Sequence, residues 1–121
     1  MGRIKQVIVV RTDLKNKKGE KVRTGKLITQ GAHAAVNCVM KTDSGLLSAW
    51  ADDGSTKIVV KCNSEAELID LKSVCMLRGV PFSLVRDAGR TEFAEPTYTA
   101  LGIGPCDGDA IDKITGNLEL F

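Results

Sequence analysis

The sequence predicts an α/β fold in which helices cover both faces of a mixed four-stranded sheet. Three observations support this prediction: an apolar strand opens the chain, a well-capped helix lies near its middle, and the elements follow the order β-α-β-α-β-β-α. With 121 residues, 43% hydrophobic and 26% charged, the chain is large enough for a hydrophobic core. Residues 1–121 are therefore expected to form a single domain.

The four strands are predicted from short segments rich in β-branched and apolar residues. The first, "IKQVIVVRT" at 4–12, has a Val-Ile centre that is typical of a central strand buried on both faces. The other three are predicted at 56–62 (TKIVVKC), 81–87 (PFSLVRD) and 98–105 (YTALGIGP).

The helices are predicted from apolar periodicity and from residues that begin or end helices. In "NSEAELIDLKSVCMLRG", Ser64 and Glu67 have the spacing of a capping box, and Gly79 ends the helix. Asp107 and Gly116 are candidate ends of the last helix, at 107–116. The other predicted helices span about 24–40 and a short segment within 43–52.

Neither a membrane segment nor a metal site is indicated. No apolar run approaches the roughly 20 residues that a membrane-spanning helix needs. The four cysteines, at 38, 62, 75 and 106, contain no CxxC pair, so a zinc site is not expected. Reduced, mostly buried thiols in a cytoplasmic protein without a membrane partner are the expectation.

The charge is unevenly distributed along the chain. Residues 1–41 hold ten Lys or Arg against two Asp or Glu, a balance of +8, whereas the remainder holds seven against thirteen, or −6. The densest part is "KNKKGEKVR", residues 15–23, which we call the basic loop. It is either a solvated loop or a surface that binds phosphates. Aromatic residues make up only 4%, so base stacking is not the main way of binding nucleic acid.

The helix at 24–40 carries one polar stripe. Lys26, Gln30, His33 and Asn37 share a face at helical spacing, and His33 is the only histidine of the chain. The opposite face, at positions 28, 32, 35, 36 and 39, is predicted to pack on the core. The stripe is either a solvated outer face or, since it contains no carboxylate, a site for an anion or for a base beside an electrophile.

A second polar cluster lies in "RDAGRTEFAEPTYT". Asp87 directly follows an apolar strand, and in open α/β sheets ligands bind at the carboxyl ends of strands. Gly89 permits a sharp turn, while Thr91 and Thr99 place hydroxyl groups on either side of the loop. The alternative is an Asp-Gly type of turn in which the threonines bond only to the backbone.

Five segments in the same order resemble one family: "KQVIVVRTDL", "GKLITQGAHAAV", "LVRDAGRTEFA", "TALGIGP" and "IDKITGNLELF". They are similar to the archaeal and eukaryotic, or type II, peptidyl-tRNA hydrolases over nearly the whole chain. The resemblance implies a three-layer α/β/α sandwich with a mixed four-stranded sheet. It also implies hydrolysis of the ester between peptide and tRNA without metal or cofactor, with peptidyl-tRNA as partner and a possible homodimer.

The resemblance also implies which residues form the site. The expected catalytic residues are Lys26, His33, Asp87, Thr91 and Thr99. Gln30 is the further position that the resemblance implies, as a substrate-binding residue. Substrate binding is also expected at Asn37 of the stripe and at Arg90. The charge asymmetry, and not the resemblance, predicts that Lys15, Lys17, Lys18, Lys21 and Arg23 bind tRNA phosphates. No serine or cysteine nucleophile motif accompanies the histidine, so direct attack by water is expected. Whether Asp87 or His33 is the general base stays open.

Two features depart from the family pattern. The connection "NKKGEKVRT" is longer and more basic than usual, and Glu95-Pro96 stands where Pro-Gly is common.

Two other functions stay open. A non-catalytic RNA-binding module is one alternative, although a binder needs no constellation of Lys, His, Asp and two Thr. A protein-interaction adaptor on the same fold is the other, and it would expose an apolar patch.

Overall fold

The computed structural model describes residues 3–121 and contains all eight predicted elements in the predicted order. Met1 and Gly2, the first residues of the predicted single domain, lie outside the described residues. The strands are β1 (Ile4–Arg11), β2 (Lys57–Cys62), β3 (Phe82–Asp87) and β4 (Thr97–Asp107). The helices are α1 (Thr24–Val39), α2 (Ser44–Asp52), α3 (Glu65–Arg78) and α4 (Gly108–Thr115).

The sheet is mixed and has the strand order β2-β1-β4-β3. β1 pairs with β2 in parallel and with β4 in antiparallel, and β4 is also antiparallel to β3. β1 is therefore an inner strand, which confirms the prediction made from its apolar centre. β1, β2 and β3 run in the same direction, so their carboxyl ends lie at the same edge of the sheet.

The alternation of side chains along β1 separates two cores. Val7 and Val9 join a cluster that includes residues of α3 and α4. Ile8 and Val10 join a second cluster on the other face, together with Ala34 of α1. Helices thus cover both faces of the sheet, and the predicted three-layer α/β/α arrangement is confirmed.

The capping signals of α3 act largely as predicted. The Ser64 hydroxyl accepts a hydrogen bond from the backbone N–H of Glu67 at 3.1 Å, and Gly79 ends the helix in the left-handed region with φ of 66°. The Glu67 carboxylate reaches one residue further back than a capping box requires and accepts from the N–H of Asn63. All four cysteines are free, and three of them are buried.

The predicted orientation of α1 is wrong. Ile28 and Val36 belong to the face that was expected to pack on the core, but they are 68% and 56% exposed. The buried residues of α1 are instead Gln30, Ala34 and Cys38. The cause lies in β4, because a Cβ at Gly102 would stand 2.6 Å from the Ala34 carbonyl oxygen and 2.6 Å from the Cys38 sulfur. Because Gly102 has no side chain, α1 packs closely against β4 at Ala34 and Cys38. This packing buries the flank of the polar stripe that carries Gln30.

Candidate active site

Two residues of the polar stripe meet the strand-end aspartate. Lys26 and Gln30, one helical turn apart on α1, both reach the carboxylate at the end of β3. The ammonium nitrogen of Lys26 lies 2.8 Å from Oδ2 of Asp87, and Nε2 of Gln30 donates to the same oxygen at 3.1 Å. The backbone N–H of Gly89 donates to Oδ1 at 2.8 Å. The carboxylate thus accepts three hydrogen bonds, two from α1 and one from the turn at Gly89.

The ion pair is largely shielded from water. The side chains of Lys26 and Asp87 are only 11% and 14% exposed. Burial is the largest single influence on the pKa of Asp87 and raises it, but the hydrogen bonds from Lys26, Gly89 and Gln30 together outweigh burial. The pKa of Asp87 therefore lies below its ordinary value, and the group is a carboxylate at neutral pH.

Gln30 connects Asp87 to the second threonine. The side chains of Gln30 and Thr99 are fully buried, and the Thr99 hydroxyl donates to Oε1 of Gln30 at 2.6 Å. An ionised carboxylate only accepts hydrogen bonds, so the amide nitrogen of Gln30 must face Asp87 and its oxygen must face Thr99. The chain Thr99–Gln30–Asp87 fixes each group in one orientation.

A bulge in β4 aims Thr99 at the helix. Val85 of β3 pairs with Ala100, but the next residue, Arg86, pairs with Tyr98, so Thr99 is an extra residue in β4. Regular alternation would place Thr99 on the face opposite Ala100. Because of the bulge, both face α1, while Tyr98 packs against the core on the other face.

The second ammonium contact of Lys26 is the first threonine. Nζ of Lys26 donates to the Thr91 hydroxyl at 3.1 Å and lies 5.3 Å from the centre of the Phe93 ring. Two of the three ammonium hydrogens thus have protein acceptors. The hydroxyl hydrogen of Thr91, an exposed residue, is free to point toward a ligand. Phe93 was not among the predicted site residues, although it is the one aromatic residue in this loop.

Gly89 forms the turn that the sequence predicted. Its φ is +75°, and a Cβ at this position would stand 2.4 Å from the carbonyl carbon of Glu95. The turn is an Asp-Gly type of turn, since the Asp87 side chain accepts from the Gly89 N–H. The turn of the alternative is therefore present, but its threonines do not bond only to the backbone, since Thr99 donates to Gln30 and Thr91 accepts from Lys26.

Besides the residues of the basic loop, three predicted site residues are not part of this network. His33 and Asn37 are exposed on α1, and Arg90 is exposed in the loop after β3. Within residues 3–121, none of the three makes a side-chain hydrogen bond or an ion pair. The stripe is thus divided, with Lys26 and Gln30 turned toward β3 and β4 and the other two turned toward solvent.

The basic loop is exposed but has a defined conformation. The Asn16 side chain accepts hydrogen bonds from the backbone N–H groups of Lys18 and Glu20, and Lys15 forms a short antiparallel bridge with Lys21. All four lysine residues of the loop are exposed. The loop therefore presents its cationic side chains to solvent from an ordered turn.

The basic loop also rests on the loop that carries Thr91. Leu14, just before the basic loop, and Val22, within it, pack with Phe93 in a small buried cluster. Arg23 forms an ion pair with the carboxylate of Glu92. The basic loop therefore packs against Phe93, the aromatic residue that also contacts Lys26.

The described part of the chain holds neither a metal-ligand cluster nor a membrane-spanning helix. Over residues 3–121, no group of three or more His, Cys, Asp or Glu side chains is arranged to hold a metal ion. Among the helices of that range, none combines the length and the apolar character needed to cross a membrane.

Comparison with known proteins supports the family that the motifs resemble. Residues 4–121 match the family model described as "Peptidyl-tRNA hydrolase PTH2". A peptidyl-tRNA hydrolase of Halobacterium salinarum is 43% identical over 118 residues, covering 98% of this chain and 100% of the relative. One of Methanopyrus kandleri is 44% identical, covering 97% of both chains. "Peptidyl-tRNA hydrolase 2, mitochondrial" of Bos taurus is 41% identical over 99% of this chain and 65% of its own. This chain belongs to the PTH2 family of peptidyl-tRNA hydrolases.

Proposed function

We propose that this protein hydrolyses the ester bond between a peptide and tRNA, and that the cluster around Asp87 is the catalytic centre. The observation that carries the assignment is the shielded contact of Lys26 with Asp87, which Gln30 and Thr99 hold from inside the protein. A binding module needs no such arrangement of a carboxylate, an ammonium group and two hydroxyls. The reaction class agrees with membership of the family.

Asp87 is proposed to orient the attacking water. Its Oδ2 atom already accepts from Lys26 and Gln30, whereas among residues 3–121 Oδ1 accepts only from the Gly89 N–H. A carboxylate oxygen accepts two hydrogen bonds, so Oδ1 has a lone pair for one water hydrogen. The low pKa of Asp87 keeps it ionised, and this favours a role in orienting and polarising water over that of a strong base.

Lys26 and Thr91 are proposed to stabilise the oxyanion that forms on the ester carbonyl. After its bonds to Asp87 and Thr91, the ammonium group has one hydrogen without an acceptor in the described part of the chain. Thr91 accepts from Lys26 and can donate its own hydrogen. Two preorganised donors beside a carboxylate suit an ester hydrolysed by water, and removal of one such donor typically costs roughly 3–4 kcal/mol.

The alternative base, His33, has less support. It lies on the solvent side of α1 and has no side-chain bond to Lys26, Asp87 or either threonine among residues 3–121. We therefore assign it to substrate contact, together with Asn37 and Arg90. These exposed side chains can meet the acceptor end of tRNA beside the network.

The basic loop is proposed to bind tRNA phosphates. Lys15, Lys17, Lys18 and Lys21 are exposed, and Arg23 is the member already paired, with Glu92. Phe93 of the neighbouring loop contacts Lys26 and also packs against the basic loop. Phosphates bound by the basic loop therefore lie close to the network around Asp87. The single domain, the cytoplasmic location and the possible homodimer stay predictions, and light scattering during gel filtration measures the last.

The proposal is tested by the release of labelled amino acid from N-acetylated aminoacyl-tRNA. We expect turnover of this substrate and little turnover of the form with a free amino group, with no inhibition by EDTA. Purified Asp87→Asn protein, prepared in parallel, controls for contaminating hydrolases. If the wild-type chain releases nothing while it still binds tRNA, it is an RNA-binding module and the proposed function is wrong.

A further inference from the structure

The end of the β1–β4 ladder is completed by a side chain. The last backbone pair of these strands is Val10 with Ala100. One residue further along β1, Nη1 of Arg11 donates to the Tyr98 carbonyl oxygen at 2.8 Å. The β1–β4 ladder has ended at this point, so the guanidinium supplies a hydrogen bond to a carbonyl beyond the last backbone pair. On its other edge, β4 forms the bulge against β3 at Thr99.

Arg11 is itself fixed in place. Its Nε and Nη2 atoms each lie 2.8 Å from a different carboxylate oxygen of Asp13, and the Arg11 side chain is only 11% exposed. Hydrogen bonding of the Arg11 guanidinium to the Asp13 carboxylate is the main reason that the pKa of Arg11 is raised. A planar guanidinium can bind a carboxylate with two nitrogens and a carbonyl with the third, which the single nitrogen of lysine cannot do.

The carbonyl that accepts from Arg11 belongs to the peptide group between Tyr98 and Thr99. Fixing this peptide plane fixes the Thr99 nitrogen and Cα, which lie in it, so that only rotation about φ and χ1 remains to direct the Thr99 side chain. The Thr99 hydroxyl then orients Gln30, which donates to Asp87. A continuous series of contacts therefore runs from Asp13 and Arg11 to the proposed catalytic carboxylate.

We propose that Arg11, held by Asp13, is a positioning residue that keeps the β4 bulge in the one conformation in which Thr99 and Gln30 support Asp87. Arg11 and Asp13 act through Thr99 and Gln30 and not on the substrate. The proposal rests on the proposed function of Asp87. It adds two residues, Arg11 and Asp13, that the charge pattern of the sequence does not single out.

The test compares two arginines of the same strand region. Arg11→Lys keeps the charge but loses the fork, whereas Arg3→Lys is the matched control. Arg3 also pairs with an aspartate, Asp53, and also donates to a backbone carbonyl, but it lies at the other end of β1 and is exposed. We expect Arg11→Lys to lower kcat by roughly tenfold to hundredfold, the scale of a misplaced catalytic group, with KM nearly unchanged. Arg3→Lys should leave both constants at wild-type values.

A double-mutant cycle distinguishes positioning from a general loss of structure. If Arg11 acts through Thr99, then Arg11→Lys should lower kcat much less in the Thr99→Val background than in the wild type. An equal factor in both backgrounds would contradict the proposal. The milder variant Asp13→Asn should lower kcat in the same direction while circular dichroism and the melting temperature show a folded protein.

A readout that does not require turnover follows the Asp87 carboxyl carbon by NMR during an acid titration. A weakened Gln30 contact should raise the titration midpoint in Arg11→Lys but not in Arg3→Lys. An unchanged midpoint together with an unchanged kcat would overturn the positioning role. If wild-type protein shows no turnover at all, the proposed function fails instead, and the midpoint alone then decides whether Arg11 acts on Asp87.

Discussion

The ammonium nitrogen of Lys26 lies 2.8 Å from Oδ2 of Asp87, and it joins the first helix to the end of the third strand. The two residues are separated by 61 positions in the chain. Charges this close and this well shielded interact more strongly than a surface pair, so each determines the environment of the other. A change to either residue should therefore alter the behaviour of both.

Asp87→Asn should abolish most turnover. The amide keeps the shape of the side chain but removes the charge that orients water, so kcat should fall by about two to four orders of magnitude. Binding of uncharged tRNA, measured by fluorescence anisotropy, should change little. Near-normal kcat in a variant with a native circular dichroism spectrum would remove Asp87 from the mechanism.

Lys26→Met should shift the ionisation of Asp87 as well as slow the reaction. Burial raises the pKa of this carboxyl, and hydrogen bonding by Lys26 is the largest influence that lowers it. Without Lys26 the midpoint of Asp87 in an NMR titration should therefore rise. The acidic limb of the kcat profile, where Asp87 becomes protonated, should move to higher pH. A midpoint equal to that of the wild type would show that the ion pair has no influence on Asp87.

Stability should also depend on the Asp87 charge. A carboxyl whose pKa is lower in the folded state stabilises the protein above its unfolded pKa, and this contribution disappears as the pH falls through the folded pKa. The unfolding free energy of Asp87→Asn, measured in urea, should therefore differ most from wild type at neutral pH, and the difference should shrink below about pH 4. A difference independent of pH would contradict this linkage.

His33→Asn should be nearly silent in catalysis. Because His33 lies outside the network, kcat should stay within about twofold of wild type, whereas loss of a true general base costs roughly 10²–10⁴-fold. A large drop in kcat would return His33 to the role of base.

Gly89→Ala and Gly19→Ala form a matched pair. Both glycines have positive φ, +75° and +77°, but a Cβ at Gly19 would meet nothing within 4 Å, whereas one at Gly89 would collide with Glu95. Gly19→Ala should cost about 1–2 kcal/mol of unfolding free energy for the backbone conformation alone. Gly89→Ala should cost more and should also lower kcat, since the Gly89 N–H bonds Asp87. If the two variants were equally stable, the loop after β3 would have moved to accommodate the Cβ added at position 89.

The basic loop should determine the salt dependence of tRNA binding. Replacing Lys17 and Lys18 by Ala should reduce the slope of log affinity against log salt by about 0.7–0.9 for each phosphate that the variant can no longer neutralise. The same replacement should raise KM with little change in kcat. The control removes two exposed charges on the α3–α4 face, Arg78 and Lys113. Identical slopes for the two double variants would leave the basic loop as a solvated segment.

The sequence by itself determined the features that depend on local patterns. The order of elements, the inner position of β1, the caps of α3 and the place of Asp87 at the end of β3 all follow from short-range spacing, and the structure confirms them. Each depends on residues a few positions apart, so a single segment contains the information. Periodicity by itself shows the polar stripe and the Asp87 segment as two separate clusters, and it is the family resemblance that places Lys26 and Asp87 in one expected site.

Only the tertiary structure decided how these parts face one another. Periodicity identifies the two flanks of α1 but not which flank meets the sheet, and that choice depends on Gly102 in a distant strand. The burial of Gln30 and the exclusion of His33 follow from it. Similarly, Thr99 reaches the helix because the β3–β4 register contains a bulge, and register depends on the pairing of strands rather than on either strand alone.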